Sequence, residues 1–230
     1  MVSGVRGLCF PGFCGVCGKE LISGENMLCM SCLYDMPKTY HWQCKQNPLF
    51  CSFSTLPFLS GAVAFLFFRD TSPYRKLLHR FKYNGLCEIG LYMGQLFGKE
   101  LIPFYGTPCF CEQGIPPVLV PVPMSSAKRR KRGYNQAEWL AAGLSAATGW
   151  PVDVTAIARV TEKRSQTVFN KQARQENMKD AFLAKRISHH TIILVDDVIT
   201  TGATMESCAR ALLDKNPELT LAFAALAYVE

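Results

Sequence analysis

The sequence contains no hydrophobic run long enough to cross a membrane. Its longest apolar stretch extends only from Gly61 to Phe68, whereas a spanning helix needs about 20 apolar residues. The start of the chain, Met1 to Gly12, has one Arg and no long apolar core, so we expect neither a signal peptide nor membrane insertion. Internal repeats and low-complexity tracts are also absent, which excludes a repeat architecture. We therefore expect a cytoplasmic protein.

The sequence is also poor in charge. Charged residues make up 19% and hydrophobic residues 49% of the chain, a balance that excludes an intrinsically disordered protein. A length of 230 residues fits one domain of ordinary size with a small appendage. The net charge of +7 permits nucleic acid or phosphorylated ligands as partners without requiring either.

Cysteine, in contrast, is abundant and unevenly distributed. The chain has 11 cysteines, an odd number that argues against a complete disulfide framework. Crowding of thiols in a reducing compartment favours a metal site. The crowded residues are Cys9, Cys14, Cys17, Cys29, Cys32, Cys44 and Cys51. The scattered ones, interpreted as small hydrophobic residues, are Cys87, Cys109, Cys111 and Cys208.

Two Cys-x2-Cys pairs predict a structural zinc site. Cys14 and Cys17 form the first pair, and Cys29 and Cys32 form the second. Two such tight turns present four thiolates to one Zn²⁺, which would supply folding free energy to a segment that has little apolar material. The alternative is that these thiols are reduced and serve only as packing.

A second metal site is less well supported by the sequence. His41, Cys44 and Cys51 have suitable side chains, but no fourth ligand is evident. We interpret them as a surface histidine and two packed thiols, with a second site left as the alternative.

Alternating strand and helix patterns predict the fold class. The Cys-, Gly- and Pro-rich residues 1–55 form the predicted zinc-ribbon domain, and residues 56–230 form an α/β domain. The alternation predicts a mostly parallel sheet flanked by helices. The predicted strands are Ala62–Phe68, Val118–Val122, Ile157–Val160, Ile192–Val195 and Thr220–Val229. The predicted helices are Tyr74–Tyr83, Leu86–Phe104, Gln136–Thr148 and Met205–Leu213.

The most informative motif extends from Thr191 to Thr204. An apolar strand precedes two carboxylates, Asp196 and Asp197, and a loop of small hydroxyl residues follows, from Thr200 to Thr204. Ligands of parallel sheets bind at the carboxyl ends of strands, and N–H groups at a helix start bind phosphate. Carboxylates placed there can accept hydrogen bonds from sugar hydroxyls, so the motif predicts a ribose-5-phosphate site. The alternative is a buried strand with an acidic N-cap and a threonine-rich turn.

A second candidate segment follows the strand at Val118–Val122. The loop from Pro121 to Ser126 leads into five consecutive basic residues, a combination that suits a pyrophosphate group. A solvated charge run and a nucleic-acid contact, with Tyr134 as a stacking surface, are the alternatives. The basic residues are Lys128, Arg129, Arg130, Lys131 and Arg132.

A polar, cationic stretch separates two of the predicted strands. It includes Glu162 to Thr167 and Arg174 to Asn177. Such a stretch is typical of an exposed linker, or of a mobile loop that closes over a bound pyrophosphate and excludes water.

These strings together resemble the ComF/GntX family of bacterial proteins, in which a zinc ribbon is joined to a type I phosphoribosyltransferase domain. The Thr191–Thr204 run itself resembles the motif that binds 5-phosphoribosyl 1-pyrophosphate (PRPP) in type I phosphoribosyltransferases. The resemblance covers nearly the whole chain. The strings are the two Cys-x2-Cys pairs, Phe81-Lys-Tyr-x-Gly85, Val120-Pro-Val-Pro-Met-Ser125, Arg132-Gly-Tyr-Asn-Gln136, the region of Arg164 to Asn177, Ala181-Phe182 and Val195–Thr204.

The resemblance implies Mg²⁺-dependent PRPP binding and a cytoplasmic role in DNA uptake during natural transformation. By resemblance, Asp196 and Asp197 hold the ribose hydroxyls. Lys163 and Arg164 close over the reacting centre. The 5′-phosphate is assigned to Thr200, Thr201, Gly202, Ala203 and Thr204, and the pyrophosphate to Pro123, Met124 and Ser125. Several relatives carry a second pair of Cys-x2-Cys knuckles, whereas this chain has only His41, Cys44 and Cys51 in that region.

Two functions follow from the same residues. The favoured one is a competence protein that binds PRPP and assists uptake of single-stranded DNA, with a competence helicase or DNA-processing proteins as possible partners. In that interpretation the phosphate backbone of the DNA strand lies along the five-residue basic run and along Arg75, Lys76, Arg80 and Lys82. The alternative is an active phosphoribosyltransferase that transfers ribose 5-phosphate to an acceptor the sequence does not reveal.

Overall fold

The computed structural model describes residues 12–56, 58–104, 115–160, 181–188 and 191–229. Its centre is a four-stranded sheet in the order β1-β6-β5-β2, in which every neighbouring pair is parallel. The four strands are β1 (Leu59–Phe68), β2 (Val118–Pro121), β5 (Thr191–Ile199) and β6 (Thr220–Val229). The predicted fold class, a mostly parallel sheet flanked by helices, is confirmed.

Helices cover both faces of the sheet. They are α1 (Met30–Tyr34), α2 (Pro48–Ser52), α3 (Tyr74–Tyr83), α4 (Glu88–Leu101), α5 (Ser126–Arg132), α6 (Gln136–Thr148) and α7 (Ala203–Lys215), with short 3-10 helices at His41–Gln43 and Ile102–Phe104. None of the described helices is long and apolar enough to span a bilayer.

Strand β5 shows how the sheet divides the core into two layers. Ile193 and Val195 belong to the layer that contains α3, α4 and α6, whereas Ile192 and Leu194 belong to the layer that contains α7. All four side chains are fully buried. Successive side chains of a strand point to opposite faces, so an unbroken apolar run is what a strand covered on both faces requires.

The α3 side of the sheet is packed tightly by glycines. A Cβ atom on Gly143 would lie 2.2 Å from the carbonyl oxygen of Leu91, and one on Gly94 would lie 2.4 Å from that of Leu140. The backbones of α4 and α6 therefore touch directly, which only glycine permits.

One predicted strand lies outside the main sheet. Ile157–Arg159 (β3) pairs in antiparallel orientation with Phe182–Ala184 (β4), with Arg159 opposite Phe182. The expectation that this strand continues the parallel alternation was wrong. Ile157 is buried, but Ala158 and Arg159 are exposed, so the strand lacks the two apolar faces of a central parallel strand.

The cysteine-rich segment packs directly on the sheet. The N–H of Thr39 donates to the carbonyl of Phe65 (3.0 Å), and the N–H of Phe67 donates to the carbonyl of Pro37 (2.9 Å). The buried side-chain amide of Asn47 donates to the carbonyl of Ala62 (2.9 Å). Residues from Cys14 to Trp42 thus share a core with α3 and β1, whereas Leu49, Phe53 and Leu56 pack into the layer that contains α7, and the division at residue 55 stays a prediction.

Candidate functional site

The acid pair lies within strand β5, not beyond its end. We expected the strand to finish at Val195, but β5 keeps pairing with β6 from Asp196 opposite Ala225 to Ile199 opposite Tyr228. The other neighbour, β2, pairs with β5 only as far as Pro121 opposite Val195. Pairing with β6 therefore continues β5 beyond Val195. Because β2 ends at Pro121, a space opens beside Asp196 and Asp197.

The two carboxylates belong to opposite faces of β5. Asp197 continues the face of Val195 and meets α3, where Lys82 Nζ lies 3.3 Å from Asp197 Oδ2. That oxygen is buried and accepts no hydrogen bond from the described residues, so Lys82 contributes charge without a directed bond. Asp196 Oδ1 accepts the backbone N–H of Asp197 at 2.8 Å. The pair thus retains acceptor capacity for an incoming ligand.

Burial and the neighbouring charge of Asp197 raise the pKa of Asp196 to about 7. The N–H of Asp197 and the positive charges of Lys82 and Lys128 oppose this rise without cancelling it. Near neutral pH, an added cation or hydroxyl donors would favour the charged form of this carboxyl. The oxygen-only donor set of the pair suits Mg²⁺.

A cavity of about 200 Å³ surrounds the acid pair. Four cations line it together with the two acids, which is an environment for an anionic ligand that carries a metal ion. Its lining consists of Lys82, Val122, Pro123, Met124, Lys128, Arg132, Asn135, Gln136, Ala137, Arg159, Asp196, Asp197, Val198 and Thr204.

The five-residue basic run is helical, and only some of its side chains face the cavity. Ser125 caps α5 by accepting the N–H of Lys128 at 3.3 Å, and the helix ends at Gly133, whose φ is 84°. Lys128 and Arg132 lie one turn apart and both line the cavity. Arg129 instead pairs with Glu138 at 3.1 Å. The predicted pyrophosphate residues Pro123 and Met124 also line the cavity.

The predicted phosphate loop connects β5 to α7. Gly202 is the N-cap of α7 with a φ of 75°, a conformation that favours glycine. Thr200, Thr201 and Thr204 are exposed, and Thr204 lines the cavity. The first N–H groups of a helix lack partners within the helix, so the start of α7 offers donors to a phosphate.

A residue of the cysteine-rich segment supports this loop. A Cβ atom on Gly202 would lie 2.3 Å from Cε1 of Phe53, a residue that immediately follows α2. The Phe53 ring is 6% exposed and packs edge-on against Phe223, with 5.0 Å between ring centroids. The loop therefore rests on an aromatic ring that no sequence pattern indicated.

Sequence reasoning also missed or misassigned other cavity residues. Lys82 was expected to track a nucleic acid strand, but it pairs with Asp197. Arg159 reaches the cavity from β3, and Asn135 holds the loop after β2 by donating to the carbonyl of Val122 at 3.0 Å. Only the Phe-Lys-Tyr string gave a signal for Lys82. The predicted residues Lys163 and Arg164 lie outside the described residues.

The four predicted zinc ligands converge at a second site. The Sγ atoms of Cys14, Cys17, Cys29 and Cys32 all lie within 4.8 Å of one another, and those of Cys17 and Cys29 are 3.7 Å apart. Tetrahedral coordination with Zn–S bonds of about 2.3 Å separates sulfurs by about 3.8 Å. The cluster therefore fits a metal ion such as zinc.

The thiols of this cluster have divergent proton affinities. Burial tends to raise the pKa of Cys14, but N–H donors of Cys17, Cys29 and Val16 outweigh it and lower the pKa to about 6. Burial and hydrogen bonds with the neighbouring thiols raise the pKa of Cys32. A cation would relieve this conflict because it favours every thiolate at once.

Our interpretation of His41, Cys44 and Cys51 was wrong about burial. His41 is 3% exposed and packs against the rings of Phe67 and Tyr228, with centroids 5.8 Å away in both cases. Cys44 and Cys51 are exposed. Within the described part of the chain, the four-cysteine cluster is the one group of three or more ligand side chains that converges.

Comparison with protein families gives a match that covers half of the chain. Residues 113–229 match the phosphoribosyl transferase domain family. This range contains β2 and β5, and with them the acid pair, the phosphate loop and most residues that line the cavity.

Individual relatives extend the similarity toward the amino terminus. The chain is 27% identical over 216 residues to DNA utilization protein YhgH of Escherichia coli (strain K12), with coverage of 90% of this chain and 92% of the relative. It is 28% identical to competence protein F of Haemophilus influenzae, with coverage of 88% and 79%. It is 31% identical to YhgH of Salmonella typhi, and there the match spans 62% of each chain.

Proposed function

This chain belongs to the phosphoribosyl transferase domain family, and within it to the ComF family, and from that premise we propose that it binds PRPP together with Mg²⁺. The observation that carries the proposal is the acid pair of β5, which lies in a cavity lined by four cations next to the start of α7. A ribose with phosphate groups at both ends needs acceptors for its hydroxyls and cations at two places.

Each part of the ligand has candidate partners in the structure. Asp196 and Asp197 accept from the ribose hydroxyls, and with the pyrophosphate they would hold Mg²⁺, which supplies charge neutralisation. The Thr200–Thr204 loop receives the 5′-phosphate at the start of α7. The loop after β2 and the cations Lys128 and Arg132 receive the pyrophosphate.

We further propose that the protein acts in the cytoplasm as a competence protein that assists handling of single-stranded DNA. The names of two relatives, DNA utilization protein and competence protein F, support this link to DNA. A cytoplasmic location agrees with a four-thiol metal site, because a reducing compartment keeps the thiols from pairing as disulfides. A competence helicase or DNA-processing proteins remain proposed partners.

A second candidate function is catalysis of phosphoribosyl transfer. The C1–O bond of PRPP would break, the pyrophosphate would leave with its electron pair stabilised by cations, and an acceptor nucleophile would attack C1. The cavity cations favour this reading. Lys163 and Arg164, outside the described residues, would close over the reacting centre.

Isothermal titration with PRPP tests the binding proposal. We expect binding in the presence of Mg²⁺ and its loss when Asp196→Ala is combined with Asp197→Ala. Asp214→Ala is the matched control, because Asp214 is an exposed acid on α7 that does not line the cavity. Absence of PRPP binding in the unchanged protein would contradict the proposal, and release of pyrophosphate with a candidate acceptor would establish the second function.

The DNA proposal has a separate test. Binding of a labelled single-stranded oligonucleotide should weaken steeply as salt rises, since each neutralised phosphate contributes a slope of about −0.7 in log affinity against log salt. Binding that is absent or insensitive to salt would remove support for a DNA role.

A further inference from the structure

The exposed face of α3 forms a positively charged groove. Arg75, Lys76, His79, Arg80 and Asn84 line a depression of about 360 Å³. The opposite face of the helix, which includes Leu77, Leu78 and Phe81, is buried in the core. Among the described residues, no acidic side chain lines the groove, although Asp70 approaches Arg75 at 3.6 Å with both side chains largely exposed. Exposed pairs of this kind are weak, so the groove keeps its positive character.

Aromatic rings lie at the carboxyl end of this groove. The rings of His79 and Tyr83 are 4.8 Å apart and tilted by 42°, and Tyr83 is 53% exposed. The guanidinium of Arg132 lies 5.2 Å from the centre of the Tyr83 ring. Cations that follow a phosphate backbone, next to an exposed ring on which a base can stack, are the features that bind single-stranded nucleic acid. A duplex keeps its bases stacked inside and cannot use the ring.

Arg132 connects this groove to the ribose-phosphate cavity. Its side chain lines the cavity, and its Nη1 donates to Gln136 Oε1 at 3.0 Å, while the same guanidinium lies over Tyr83. The planar guanidinium group binds phosphate through paired N–H donors. A pyrophosphate group in the cavity and a backbone phosphate of a nucleic acid strand whose base stacks on Tyr83 would therefore compete for the same guanidinium.

We propose that a single-stranded nucleic acid binds along the exposed face of α3 with a base against Tyr83, and that Arg132 couples this binding negatively to occupation of the cavity. The coupling rests on the proposed function, because it requires PRPP as the cavity ligand. A bound pyrophosphate draws Arg132 away from Tyr83 and so weakens binding of the nucleic acid. Thermodynamic linkage makes the effect reciprocal, so the strand weakens PRPP binding by the same factor.

Fluorescence anisotropy of a labelled oligothymidylate of about 16 nucleotides tests the groove. We expect Tyr83→Leu to weaken binding by about 5- to 160-fold, the range for loss of one stacked base. Tyr34→Leu is the matched control, because Tyr34 is a 91% exposed tyrosine on α1 and should leave affinity unchanged. Equal affinity of the two variants, or equal binding of a duplex and the single strand, would overturn the surface assignment. Thermal unfolding midpoints verify that both variants are folded.

Repeating the anisotropy titration with saturating Mg²⁺ and PRPP tests the coupling. We expect PRPP to lower oligothymidylate affinity by about fivefold or more, and Arg132→Lys to remove most of this effect because a lysine offers no planar fork. If calorimetry shows PRPP bound while the oligonucleotide affinity is unchanged, the coupling is wrong and the PRPP proposal stands. If calorimetry shows no PRPP binding, both the coupling and the PRPP proposal fail, whereas the groove result is unaffected.

Discussion

The cysteine-rich segment and the parallel-sheet domain reach stable structures by different means. Within residues 12–56 the regular elements are two helices of five residues each and one short 3-10 helix. The sheet domain instead buries strands such as β5 on both faces. A segment with so little regular structure depends on cross-links, whereas a doubly covered sheet is stable through burial alone. The comparison supports a structural role for the four-cysteine cluster and a ligand-binding role for the cavity of the sheet domain.

The two regions nevertheless touch at the functional loop. Phe53 belongs to the segment, and Gly202, in contact with its ring, belongs to the phosphate loop. A change in the four-cysteine cluster can therefore reach the proposed ribose-phosphate site through packing. The following predictions separate the two regions or measure their contact, beginning with the largest expected effect.

Loss of one metal ligand should destabilise the segment most. We expect Cys17→Ser to lower the metal content from one zinc per chain and to reduce stability by several kcal/mol, because structural zinc contributes about 10 kcal/mol or more to folding of small domains. Elemental analysis and thermal unfolding measure both effects. Cys44→Ser is the control, since Cys17 and Cys44 are both exposed; an equal loss in the two variants would refute the four-cysteine site.

Gly202→Ala measures the contact between the regions. The new Cβ atom would lie 2.3 Å from Cε1 of Phe53, and the alanine would have to adopt a φ of +75°. We therefore expect the free energy of unfolding to fall by about 2–4 kcal/mol and PRPP binding to weaken. Gly149→Ala is the control because Gly149 has the same φ of +75° with nothing within 4 Å of its added Cβ. Equal destabilisation in denaturant melts would show that Phe53 does not support the loop.

The pH dependence of stability tests the acid pair within the sheet domain. The folded-state pKa of Asp196 is raised to about 7. Between about pH 4 and pH 7 the folded protein therefore keeps a proton on this carboxyl, whereas the unfolded chain has already released it. Asp196 therefore destabilises the folded state increasingly as pH rises from about 4 to about 7. The difference between the wild type and Asp196→Asn in urea melts should grow over this window; a constant difference would contradict the raised pKa.

The smallest effect is expected on the surface of the sheet domain. Arg129→Gln removes an exposed pair with Glu138 and should cost about 0.5 kcal/mol or less. Its PRPP affinity should match that of the wild type, whereas Lys128→Gln should weaken binding, because Lys128 lines the cavity. Calorimetry on the two variants compares adjacent charges of one helix. Similar losses of PRPP affinity would mean that all five basic residues contribute to binding regardless of which face of the helix they lie on.

Local patterns predicted the elements whose boundaries depend on their own residues. The bounds of α3 and α6 were confirmed without change. Capping residues define those of α6: Asn135 accepts the N–H of Ala137 at its start, and Gly149 ends it. The convergence of the four cysteines was confirmed as well, because each tight turn fixes two thiols.

Features that depend on distant partners were not predictable. The end of β5 is set by its pairing with β6, so the acid pair falls inside a strand. The role of Lys82 depends on which face of α3 meets Asp197. The contact between Phe53 and Gly202 joins residues far apart in the chain, and a single sequence carries no sign of it.

The segment also shields an edge of the sheet. Strand β1 is one of the two outer strands, and its residues from Ala62 to Leu66 are buried and apolar. Residues Pro37 and Thr39 satisfy backbone groups of β1 at Phe65 and Phe67. An uncovered, long apolar edge is a template for pairing with other chains. If a metal ion fills the four-cysteine cluster, its removal should therefore expose this edge and promote self-association through β1.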